Sequence, residues 1–137
     1  MLDRLAPAQQ EALMELLIVM AKADGKVKDI EREILEQYAD LVDVDFSSLT
    51  GEKTIEELTS LFDTAESRVI VLQELIRICH LDGLFVDDER SAIVDVAAMF
   101  GVPMSLLQEL ENWVVEGLRW SLRGEELLEE AAEVVRL

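Results

Sequence analysis

The feature that most constrains this chain is an Asp-Gly turn that occurs twice, each time between two helix-forming segments. Asp24-Gly25 and Asp82-Gly83 lie 58 residues apart, and the same offset relates the residues around them. The matching pairs are Leu17 with Leu75, Ile18 with Ile76, Val27 with Phe85, Asp29 with Asp87, Glu31-Arg32 with Glu89-Arg90, Ala39 with Ala97, and Val44 with Val102. Glycine permits the positive φ that a tight turn between helices needs. The pattern predicts two copies of a helix–turn–helix unit packed about a local twofold axis.

Apolar residues recur with a helical period along most of the chain, and no stretch alternates as a strand does. Predicted helices cover residues 8–23, 29–42, 55–62, 65–81, 87–100, 103–122 and 125–137. Pro7 starts the first, a capping box at Thr54 starts the third, Asp63 or Thr64 caps the fourth, and Gly124 separates the last two. We therefore expect an all-α fold: a single compact bundle of about seven helices in one domain, 1–137. The helices of residues 104–137 are expected to pack on the duplicated part.

Charge excludes one class of function. Thirty acidic residues against twelve basic ones give a net charge of −18, whereas a general nucleic-acid binder needs a cationic surface. The charge is compatible with divalent cations, with basic protein partners, or with solubility alone.

Cellular location is expected to be cytoplasmic. Cys79 is the single cysteine, so an internal disulfide is excluded, and no secretory signal follows Met1. The longest apolar run, residues 16–21, is far shorter than the roughly 20 residues of a membrane span. Membrane insertion is therefore not expected.

The duplicated turns resemble a known family. The stretches that carry the likeness are residues 22–27 with 31–33, and residues 81–90, whose sequence is Leu-Asp-Gly-Leu-Phe-Val-Asp-Asp-Glu-Arg. They resemble the two motifs of the TerB-like proteins, named for tellurite-resistance TerB, which share their helical domain with the amino-terminal part of a membrane-anchored DnaJ-like co-chaperone. The likeness covers about residues 10–105, and we cannot match residues 103–137 to the family pattern.

That resemblance implies a bacterial source, a compact helical fold, and a role in tellurite resistance or stress response, often near a membrane, so peripheral association is compatible with it. It also implies a proposed metal site where acidic residues of both turns gather on one face. Residue by residue the site falls on Asp24, Glu31, Asp82 and Glu89, with Asp29 and Asp87 as flanking candidates. Such oxygen ligands favour Ca²⁺, Mg²⁺ or Mn²⁺.

A purely structural role explains the same carboxylates. Asp24 and Asp82 can accept backbone N–H bonds from the turns that follow them, and Glu31 and Glu89 can complement helix N-termini. The spacing also matches the second half of an EF-hand loop, but the first half lacks the oxygen ligands that a calcium loop requires.

An enzyme is not expected, because no nucleophile, phosphate-cradling glycine loop or cysteine cluster stands at a recognisable spacing. His80 is interpreted as a solvent-exposed residue at a helix end and Cys79 as part of the core. Trp113 and Trp120, seven residues apart, mark a wide apolar surface that either the final helix covers or a partner or second copy contacts.

The sequence thus predicts a non-enzymatic TerB-like binding module that binds a divalent metal through its paired acidic turns. The alternative is a metal-independent protein-interaction module that uses its acidic face or the Trp113/Trp120 surface. A homodimer is compatible with either.

Overall fold

The computed structural model describes residues 1–22, 29–81 and 87–137, and of Ile30, Leu81, Asp87, Asp88 and Glu89 it describes the backbone alone. Within these residues the chain forms helices and no strand, so the all-α prediction is confirmed. The helices are α1 (Pro7–Ala21), α2 (Asp29–Leu41), α3 (Ile55–Thr59), α4 (Ala65–Leu81), α5 (Asp87–Met99) and α6 (Met104–Val134). Short 3₁₀ turns lie at Leu2–Arg4 and Phe46–Ser48.

The duplication is visible in the helix bounds. Helix α2 and helix α5 have the same length, 13 residues, and begin 58 positions apart. Helices α1 and α4 begin at Pro7 and Ala65, again at the same offset. Each pair packs together, α1 on α2 and α4 on α5. The two helix pairs predicted from the repeat are therefore present, and the Asp-Gly turns that join them in sequence lie outside the described residues.

Both units also end in the same way. Asp43 and Gly101, at equivalent positions, have φ angles of 58° and 71°. The N–H groups of Val44 and Val102 each donate a 2.9 Å hydrogen bond to the carbonyl five residues earlier. This is the Schellman arrangement, in which a left-handed residue lets the chain satisfy helix-end carbonyls and turn away.

Helix α1 is the centre of the fold. Its side chains are buried almost continuously from Ala12 to Ala21, and it contacts α2, α3 and α5. Residues 12–21 are all apolar except Glu15, so this part of the helix has no polar face. Burial on all sides is what such a pattern specifies.

Threonine side chains cap the N-termini of α3 and α4. The hydroxyl of Thr54 accepts the N–H of Glu57 at 3.1 Å, which is the N-cap half of the predicted capping box. That of Thr64 accepts the N–H of Ser67 at 3.0 Å, which decides between the two predicted caps of α4.

Helix α6 differs from the prediction. It runs without a break through Gly124, so the last two predicted helices are one helix of 31 residues, roughly 45 Å long. A single internal glycine costs only about 1 kcal/mol. Arg123 contacts Glu126 and Glu130 at 3.1 and 3.0 Å and so bridges the glycine.

Only the first half of α6 packs against the other helices. Leu107, Leu110 and Val114 are buried, and the main neighbour is α4. From residue 119 to the end of the chain every side chain is exposed except Ala131, which is half-buried. The final segment does not fold back over the tryptophans.

Candidate functional site

The predicted metal site falls largely outside the described residues. Asp24 and Asp82 are not among them, and the side chains of Asp87 and Glu89 are not described. Asp29 is exposed at the first position of α2. In the part of the chain that the structure describes, no group of three or more His, Cys, Asp or Glu side chains is placed to hold a metal ion.

Of the four main predicted ligands, Glu31 is the one whose side chain lies among the described residues. It is 5% exposed, on the first turn of α2. It lines a cavity of about 20 Å³ together with apolar residues of α1 and α2 and with Ile78 and Cys79 of α4. Cys79 lies three residues before Asp82. The carboxylate of Glu31, in the first repeat, therefore lies beside α4, the helix that precedes Asp82 in the second repeat.

The neighbouring candidates have ordinary structural positions. Cys79 is 4% exposed and belongs to the core, as expected. His80 is half-buried in the last turn of α4, less exposed than the sequence suggested.

Two buried carboxylates were missed by the sequence analysis. Glu15, 3% exposed on α1, accepts the N–H of Thr50 at 3.2 Å and that of Gly51 at 2.8 Å. Lys22 donates to the carbonyl of Thr50 at 2.8 Å. Together they fasten the loop before α3 to the central helix. The signal in the sequence was an acid inside an otherwise apolar helix.

Glu74 is the second, only 1% exposed on α4. The hydroxyl of Tyr38 on α2 donates to it at 3.3 Å, and a guanidinium nitrogen of Arg77 lies 3.7 Å away. Burial, followed by the charge of Glu74, raises the pKa of Tyr38 to about 12, although Arg77 acts in the opposite direction. This contact ties α2 to α4, and its carboxylate is already paired, so it does not form an open site.

The most exposed functional candidate is the tryptophan surface of α6. Trp113 is 49% exposed and Trp120 is 81% exposed. With Arg77 of α4 and Gly117 they line an open groove of about 670 Å³. Two indoles left in water in a chain with a well-formed core are characteristic of an interaction surface.

Glycines lie beside these tryptophans. A Cβ atom added at Gly117 or Gly124 would have no neighbour within 4 Å. Glycine inside a helix costs about 1 kcal/mol relative to alanine. The packing of the described chain therefore does not require glycine at either position.

The chain matches a known family over its amino-terminal part. Residues 1–52 match the family model described as tellurite resistance protein TerB. No curated protein and no solved structure matches the chain. None of the helices in the described ranges is both long enough and apolar enough to cross a bilayer. The matched stretch holds α1, α2 and the first Asp-Gly motif, and it confirms the resemblance to the TerB-like family over those residues; the second motif, at residues 81–90, lies outside it.

Proposed function

We propose that the chain is a non-enzymatic TerB-like binding module that docks a protein through the tryptophan surface of α6. The single observation that carries the proposal is the exposure of Trp113 and Trp120 beside an open groove. Tryptophan is enriched among the residues that dominate binding energy at protein interfaces. The TerB match favours a tellurite-resistance or stress-response context for this binding.

Affinity capture from extracts of the source cells tests this proposal. The double variant Trp113→Ala/Trp120→Ala is compared with wild type and with the control Leu41→Ala/Leu61→Ala. Leu41 and Leu61 are also exposed, on or beside other helices. We expect a partner retained by wild type and by the control and lost by the tryptophan variant. Equal capture by all three proteins would refute docking through α6.

A divalent cation bound by the acidic turns is the second candidate function. It is favoured by the position of Glu31, whose buried carboxylate lies against the helix that precedes Asp82. Carboxylate oxygens suit Ca²⁺, Mg²⁺ or Mn²⁺, and Asp24, Asp82 and Glu89 would complete the ligand set with Asp29 and Asp87 flanking it.

Calorimetric titration with each of the three ions tests the metal. We expect saturable binding to wild type and to the control Asp40→Asn/Asp95→Asn, which removes two exposed carboxylates from α2 and α5. Binding should be lost in Asp24→Asn/Asp82→Asn. If none of the ions binds wild type and the asparagine variant merely melts earlier, the turns have a structural role alone.

A further inference from the structure

The sequence of α6 contains two rows of residues with a seven-residue repeat. The large row is Leu106, Trp113, Trp120, Leu127 and Val134, and the small row is Gly117, Gly124 and Ala131. Each small residue precedes a large one by three positions, which is the spacing of the a and d positions of a coiled coil. The two rows are therefore adjacent on one face of the helix.

The second half of that face is open in the described chain. Trp113, Trp120, Leu127 and Val134 are 49%, 81%, 50% and 77% exposed, whereas Leu106 packs against the core. Of the buried residues of α6, Leu107 and Val114 belong to a neighbouring face, and Leu110 continues the small row into the core. The open part of the face therefore runs from Trp113 to Val134, roughly 30 Å of helix.

We propose that a second copy of this chain occupies the face, with the two α6 helices packed antiparallel about a twofold axis. The inference rests on the proposed docking function of this surface and specifies its occupant. In an antiparallel pair, Trp120 lies over the partner's Gly117, and seven residues away Trp113 lies over the partner's Gly124. Symmetry repeats both contacts. Both indoles meet a glycine, so the helices approach closely at the centre of the pair.

The parallel arrangement lacks this match. It places like rows together, with indole against indole and glycine against glycine, which combines crowding with voids. A different protein would have to supply both complementary rows itself. The alternation of large and small residues on one helix favours a copy of that helix.

Charge complementarity selects the same register. Glu116 and Arg123 are exposed, lie seven residues apart and flank the small row on one side. The antiparallel register that puts Trp120 over the partner's Gly117 also puts Glu116 beside the partner's Arg123, twice by symmetry. Arg123 already contacts Glu126 and Glu130 on its own helix, but exposed ion pairs of this kind are weak and exchange readily.

The exposed apolar area of the face provides part of a dimer interface. With about 250 Å² for a free indole side chain, the exposed parts of Trp113 and Trp120 provide roughly 300 Å² per copy. A standard interface buries about 800 Å² per partner. Leu127 and Val134, 50% and 77% exposed, extend the same face.

Analytical ultracentrifugation of the full chain across the micromolar range tests the inference. We expect a dimer that weakens by at least about tenfold in Glu116→Arg and again in Arg123→Glu, because each places like charges together. The double exchange Glu116→Arg/Arg123→Glu should restore dimerisation. Glu129→Arg, on the opposite face, is the matched control and should leave it unchanged.

Gly124→Leu separates loss of the interface from loss of the fold. It fills the cavity that receives the indole, so the dimer should weaken. A Cβ atom at this position has no neighbour within 4 Å, and leucine favours a helix over glycine, so the monomer's melting temperature should rise.

A wild-type chain that sediments as a monomer, or a charge exchange that fails to restore the dimer, overturns the inference. If that monomer still captures a partner through Trp113 and Trp120, the proposed docking function stands and its occupant is another protein. If capture is also independent of the tryptophans, both are refuted.

Discussion

Alkaline titration of Tyr38 tests the buried contact between α2 and α4. Tyr38 is the single tyrosine of the chain, so the ultraviolet absorbance of tyrosinate reports this residue alone. Burial and the carboxylate of Glu74 raise its pKa from 10.0 to about 12. We expect an absorbance midpoint well above 10 while circular dichroism still shows native helix.

The direction of the effect on stability follows from which state holds the proton. The folded chain keeps the phenolic proton to a higher pH than the unfolded chain does. The contribution to stability is therefore complete below pH 10 and is lost as the pH rises from 10 toward 12.

Two pH units correspond to about 3 kcal/mol, and residual solvent contact at the ring reduces this to roughly 1–2 kcal/mol. Urea unfolding at several pH values measures the loss. The variant Tyr38→Phe should lack this alkaline component.

At neutral pH, Tyr38→Phe should cost about 1 kcal/mol. A hydrogen bond to a charged group contributes about 1.5–3 kcal/mol, and 3.3 Å is long for a hydroxyl donor, which places this bond below that range. Glu74→Gln should lower the pKa of Tyr38 but leave it above 10, because burial is the largest cause of the shift. A midpoint near 10 in the folded wild-type protein would refute this account of the contact.

Three further stability predictions concern the two helix-end caps, the glycine of the loop before α3, and the carboxylate of Glu15 that holds this loop; each is measured by urea unfolding. Gly101→Ala should destabilise by about 1 kcal/mol from its positive φ alone, since a Cβ there meets nothing, whereas Asp43→Gly at the equivalent position should stabilise by about 0.5–1 kcal/mol; equal effects at both sites would contradict the equivalence of the two caps. Gly51→Ala should cost more than Gly101→Ala, because its Cβ would also lie 2.5 Å from Ile18; a smaller cost would show that the loop shifts freely. Glu15→Gln should cost about 1–3 kcal/mol, because an amide oxygen replaces only one of two acceptors for the loop N–H groups, and an unchanged midpoint would refute the fastening role.

Much of the fold is predictable because helices are determined by near neighbours in sequence. The capping hydroxyl of Thr54, the proline that opens α1 and the repeat at 58 residues located most helices within a few residues. Gly124 does not end a helix, because the local cost of one glycine is small beside the hydrogen bonds of a 31-residue helix.

The candidate site was less predictable, because a site depends on contacts between distant residues. The resemblance named Glu31 as a ligand, but its burial beside α4 follows from the packing of two helices on each other. Trp113 and Trp120 were identified as an apolar surface, and only the path of α6 decided that the final segment leaves them exposed.

The sequence by itself therefore determined the helical character of the described residues and its two equivalent helix pairs, since periodicity and caps act within a few residues. Tertiary structure alone decided that Glu15 and Glu74 are buried with partners and that α6 extends as one helix with an uncovered face. The physical reason is that burial of a charge or an indole depends on which distant group lies opposite it, and this is a property of packing rather than of local pattern.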